Sequence, residues 1–205
     1  MSRDVYDIID FREVEHSLIY QCAPVLSGLK MSNLLILDRE IVAAALMIIR
    51  SVGLSFYVLY RNEKKITFIV FHEDELRRVL REKRNVSFLK KRGYPSGPLQ
   101  RVMMEAASRY RACMDGKAGF PDELGLFLGY PFEDVIGYIE QNGRNFLLNG
   151  YWKVYSDPEA AAERFESYDV ITEKMMREVI SGKSILRVIR DNRIDVDKKM
   201  HSYAG

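Results

Sequence analysis

The 205-residue chain is poor in the residues that most often declare a function. It has two cysteines, Cys22 and Cys113, too few for a disulfide framework. Its three histidines, His16, His72 and His201, show no paired spacing with each other or with the cysteines, so no metal site can be read from them. Apolar runs stay far below the roughly 18 residues of a membrane span. The opening residues MSRDVYDIID are charged and lack the apolar core of a signal peptide. These absences point to the cytoplasm and exclude a membrane partner. A formal net charge of +2 carries no strong electrostatic signature either way. Internal repeats, low-complexity segments and a glycine-rich phosphate loop are missing as well, and the last of these argues against a doubly wound nucleotide fold.

What is present has the charged and hydrophobic fractions, 29% and 47%, of an ordinary globular protein. Residues Phe11 to Ala23 show a helical apolar face that Pro24 is expected to end. Leu34 to Leu37 reads as a buried strand, and Asp38 caps an apolar helix, Ile41 to Val52, stopped by Gly53. A hairpin follows, from Leu54 to Tyr60 and Ile66 to Phe71 around a turn at 61–64. Helices are expected over Glu73–Glu82, Val86–Lys91 and Leu99–Met114, with Gly93-Tyr94-Pro95 as a break and 115–119 as a link. Later helices cover Pro158–Ser167 and Thr172–Ile180. Residues 1–190 form one domain, and 191–205 a polar tail. The whole is an α+β fold: a small, mostly antiparallel sheet of three to five strands with two hairpins, covered by several helices.

The most informative stretch is 120–157, FPDELGLFLGYPFEDVIGYIEQNGRNFLLNGYWKVYSD, which holds the only tryptophan. Pro121 suits a first helical turn, and Asp122 and Glu123 add negative charge where the helix dipole favours it. Leu124, Phe127 and Leu128 keep helical spacing until Gly129, expected at positive φ as a left-handed cap. After Tyr130-Pro131 a second helix runs through Phe132, Val135, Ile136 and Ile139 to Asn142-Gly143. The period then becomes strand-like. Residues Asn145–Leu148 and Tyr151–Tyr155 flank Asn149-Gly150, a dipeptide that favours a primed hairpin turn. In that alternation Trp152 faces the core and Lys153 faces solvent. Asp157 and Pro158 then supply the cap and first residue of the next helix.

Phe120 to Val135 (FPDELGLFLGYPFEDV) and Gly150 to Tyr155 (GYWKVY) closely resemble bacterial domain-of-unknown-function family number 3793. Weaker features of that pattern are Cys22-Ala23-Pro24, Lys30 to Leu34 and Gly93-Tyr94. The resemblance implies no mechanism. Its pattern often has His at the position of Asp122 and Cys at that of Asn149, so a metal or thiol site on those two positions does not carry over.

Candidate sites compete with plainer readings. The loop after Cys22 gathers Lys30, Ser32 and Asn33 where a helix hands over to a buried strand. A ligand site there would converge with motif residues such as Glu123 and Tyr130, and Lys30 would favour a small anionic ligand. A thiol near a helix C-terminus meets the negative end of the dipole, which raises its pKa. That opposes a thiol-dependent enzyme built on Cys22 unless Lys30 or His16 folds close to it, and favours a buried, inert cysteine. The basic run Arg77 to Arg92 reads as a phosphate-binding face or as a solvated helix face with Leu76, Val79, Leu80, Phe88 and Leu89 turned inward. The two central helices match a helix-turn-helix in spacing, but Glu133, Asp134 and Glu140 on the second oppose contact with phosphates, so a nucleic-acid regulator is disfavoured. The best-supported role is an accessory protein that binds a small ligand or a protein partner, with its ligand and any cofactor undefined.

Overall fold

A computed structural model describes residues 2–194. Three strands, β1 (Ser32–Asp38), β2 (Ser55–Arg61) and β3 (Lys65–Phe71), form one antiparallel sheet in the order β1-β3-β2. Side chains alternate across it. Leu35, Leu37, Phe56, Val58, Phe68 and Val70 face one layer, and Leu34, Tyr57, Ile69 and Phe71 the other. Because both faces are covered, β3 reads as a nearly unbroken apolar run, as strands buried on two sides do. Leu59 is inserted as a bulge between Val58 and Tyr60, which puts one more fully buried side chain on the second face.

The first face is covered by α1 (Arg3–Tyr6), α2 (Val14–Leu26), α3 (Val42–Ser51), α9 (Pro158–Ile180) and α10 (Ile185–Asn192). The second face is covered by α4 (Glu73–Arg81), α5 (Lys83–Lys91), α6 (Leu99–Met114), α7 (Leu124–Phe127) and α8 (Phe132–Glu140). The second hairpin, β4 (Leu148–Asn149) with β5 (Lys153–Val154), is a separate two-stranded ribbon whose own small core rests on α9. The α+β expectation with two hairpins therefore holds, with the strands divided between two sheets.

Three local differences have physical causes. The helix expected to stop at Pro24 continues to Leu26, with Pro24 inside its last turn. Residues 22–26 are all buried, and their burial outweighs the backbone bond that proline cannot donate. The two helices expected between 158 and 180 are one helix, because Tyr168 and Thr172 pack inward and the Thr172 hydroxyl donates to the Tyr168 carbonyl (2.7 Å) instead of breaking the turn. Residues 185–190, assigned no element from the sequence, form most of α10, with Ile185, Val188 and Ile189 buried. Asn192 ends that helix and the Ile194 N–H donates to the Ser27 carbonyl (2.9 Å), while the rest of the expected tail, 195–205, lies outside the described residues.

The β1 edge is not left open. The Gln21 side chain on α2 accepts from the Ile36 N–H (2.8 Å) and donates to the Ile36 carbonyl (3.0 Å), filling the place of a neighbouring strand.

Candidate functional site

The site grows from the turn at Gly129. There φ is +75°, and the Tyr130 N–H donates to the Gly125 carbonyl (2.9 Å), so α7 stops in the expected left-handed cap. The chain then reverses through Tyr130-Pro131 into α8, which presents Val135 to the core and buries Asp134. Asp134 is the hub of the motif. One oxygen accepts from the Trp152 indole N–H (2.7 Å); the other accepts from the Tyr155 and Ser156 backbone N–H groups (2.8 and 2.9 Å) and the Ser156 hydroxyl (2.8 Å). A carboxylate taken out of water needs several donors to offset its desolvation, and Asp134 has four.

That hub fixes the second hairpin in an unexpected register. Asn149 pairs with Lys153, so Gly150, Tyr151 and Trp152 form a three-residue connection and Asn149-Gly150 is not the central pair of a turn. Gly150 is there for close approach: a Cβ would lie 2.3 Å from the Phe165 ring. Trp152 is buried, but in the connection and not on a strand. Its ring stacks on Tyr130 (centroids 5.1 Å apart) and meets Phe165 edge-on (4.6 Å). Lys153, expected in solvent, is half-buried. Its ammonium donates to the Gly143 carbonyl (2.7 Å) and lies over the Tyr138 and Phe146 rings.

Between these elements lies a cleft of about 320 Å³ whose walls include Leu34, Tyr130, Tyr138 and Trp152, with Asp122, Asn149 and Lys153 as polar groups. The volume falls at the lower end of the range for small-ligand pockets, roughly 300–1,000 Å³. Asp134 also touches the cleft, but its oxygens are already engaged. Asp122 differs: its carboxylate has no hydrogen-bond or ion-pair partner among the described residues. Burial and the adjacent Glu123 push its pKa up, with Arg92 pulling the other way.

The sequence-derived residues divide into three groups. Lys30, Asn33 and Tyr130 come together, and Cys22 lies near enough to Lys30 for its charge to act on the thiol. The Lys30 ammonium is held by the Asn33 side-chain oxygen and sits 5.4 Å from the Tyr130 ring centre, and Asn33 in turn donates to the Gln21 and Leu34 carbonyls. Of these four, only Tyr130 lines the cleft. Ser32 points to the other side of β1 and donates to the Phe127 carbonyl, tying the sheet to α7. Glu123 belongs to a separate buried cluster, accepting from Arg92 (3.0 Å), Tyr94 (3.1 Å) and Arg109 (3.1 Å).

Cys22 is 1% exposed among aliphatic side chains, and burial pushes its thiol up to about 12, opposite to what a nucleophile requires. Burial also brings Lys30 down to about 8. The helix-turn-helix spacing is real as packing, since a Cβ on Gly125 would lie 2.8 Å from Val135. Yet α7 has only four residues, all buried, and Glu133 on α8 pairs with Arg84 (2.6 Å). Sequence reasoning missed Asp134 and Lys153 as site residues. No spacing rule announces that a carboxylate on one helix meets an indole eighteen residues on.

Among the described residues no helix is long and apolar enough to cross a membrane, and no group of three or more His, Cys, Asp or Glu could hold a metal ion. A family model described as "Protein of unknown function (DUF3793)" matches residues 18–189. No curated protein and no solved structure matches the chain.

Proposed function

The chain belongs to the DUF3793 family, and from that premise and the geometry of the cleft we propose that it is a cytoplasmic accessory protein that binds a small ligand between the α7–α8 turn and the second hairpin. One observation carries the reading: an aromatic-walled cleft that keeps one partly buried carboxylate, Asp122, without a partner among the described residues. An unpaired polar group at the edge of an apolar pocket is a feature that ligands complete. Its sign favours a ligand with an apolar body and a donor or cationic group, such as a primary amine. The anion expected from Lys30 is less well supported, because that ammonium is buried behind Tyr130 and held by Asn33.

Trp152 is the only tryptophan and lines the cleft, so intrinsic fluorescence reads occupancy directly. Titration with benzylamine and related primary amines is expected to change the emission saturably. Asp122→Asn should weaken that response at least tenfold without lowering the melting temperature. Equal binding of the amines by Asp122→Asn, or preference for the matching carboxylic acids, would refute the reading.

A further inference from the structure

A second cleft lies where α4 and α5 meet the loop entering α6. Its floor is apolar, formed chiefly by Leu80, Leu89 and Val102, and its edge carries Arg77, Arg81 and Lys90. Twelve of the described residues line it, three of them cationic and none acidic, in a chain whose positive and negative side chains are nearly balanced. Arg77 is paired with Glu73 (2.5 Å). Arg81 and Lys90 have no carboxylate partner among the described residues, whereas neighbouring Arg84 pairs with Glu82 and Glu133. Val86, on the same α5 surface, is 42% exposed beside this floor.

From the unpaired cations around an apolar floor we infer a binding site for a small anionic amphiphile, with a carboxylate or phosphate head and a short apolar tail. The volume, about 210 Å³, is below the usual range of roughly 300–1,000 Å³ for a whole ligand. It accommodates a tail and leaves the head at the rim, where the Arg81 guanidinium offers a forked pair of donors and Lys90 a point charge. The site is independent of the Trp152 cleft, so either can fail alone.

Calorimetric titrations of the full chain with octanoate, phenyl phosphate and inorganic phosphate separate the contributions. Octanoate or phenyl phosphate should bind at least tenfold more tightly than inorganic phosphate, and more weakly at high salt. Whichever binds better identifies the head group. The double variant Arg81→Ala/Lys90→Ala should lose at least tenfold in affinity for the amphiphile. The control Lys64→Ala/Lys117→Ala, which removes two exposed charges elsewhere, should not. Val102→Trp, which fills the floor, should abolish amphiphile binding while inorganic phosphate still binds weakly. The inference is overturned if neither amphiphile binds, if inorganic phosphate binds equally well, or if the Arg81/Lys90 variant, shown folded by its melting curve, binds as the parent does.

Discussion

Replacing Asp134 tests whether the motif is held together by one carboxylate. In Asp134→Ala the Trp152 indole and the Tyr155 and Ser156 amides lose their acceptor, while the Ser156 hydroxyl can rotate away. An unsatisfied buried donor costs about 1–3 kcal/mol. Three of them set a ceiling near 9 kcal/mol, and water entering from the adjoining cleft lowers it. The expected loss is about 3–5 kcal/mol. Asp134→Asn is the informative partner. Its remaining oxygen can still serve the Tyr155 and Ser156 donors, leaving one amide group facing the indole N–H. The loss should then be about 1–3 kcal/mol. Urea unfolding followed by Trp152 emission measures both, and the native emission of Asp134→Ala should shift to longer wavelength as the hairpin loosens. An Ala variant less than about 1 kcal/mol destabilised, or an Asn variant as damaged as the Ala variant, would refute the hub.

Gly150→Ala should cost about 1–3 kcal/mol or more, because the added methyl overlaps the Phe165 ring; a melting temperature equal to the parent's would show that the hairpin can shift aside. Lys30 should give stability a pH dependence. Its pKa falls from an ordinary 10.5 to about 8 on folding, so between those values the unfolded chain binds the extra proton and stability rises with pH, by about 3 kcal/mol at most. Comparing melts of the parent and Lys30→Met from pH 7 to 10.5 should show that rise vanish in the variant. Cys22 should resist thiol reagents in the native state, so that one thiol, Cys113, titrates before unfolding and both after; rapid modification of Cys22 would revive the thiol-enzyme reading.

Local chemistry alone determined much of this protein. Gly129 before Tyr-Pro can only end a helix, Asp157-Pro158 can only begin one, and the period-two runs from 54 to 71 pair as a hairpin because their apolar residues must be buried. The family pattern is likewise a property of the sequence. Tertiary structure decided whatever depends on two distant segments. Pro24 sits inside a helix because the residues around it are buried by α9 and β1, and 158–180 stays one helix because its two halves pack on different cores. The conformation of Asn149-Gly150 yielded to Phe165, which leaves room only for a hydrogen. The candidate site shows the same limit. Lys30 looked like an anion receptor beside a polar loop, but folding buried it and left Asp122 as the unpaired charge in the cleft. A residue's type and its neighbours in sequence set what it can do. Whether it meets water, a partner or an empty cleft depends on which elements pack over it, and that is fixed only when the layers close.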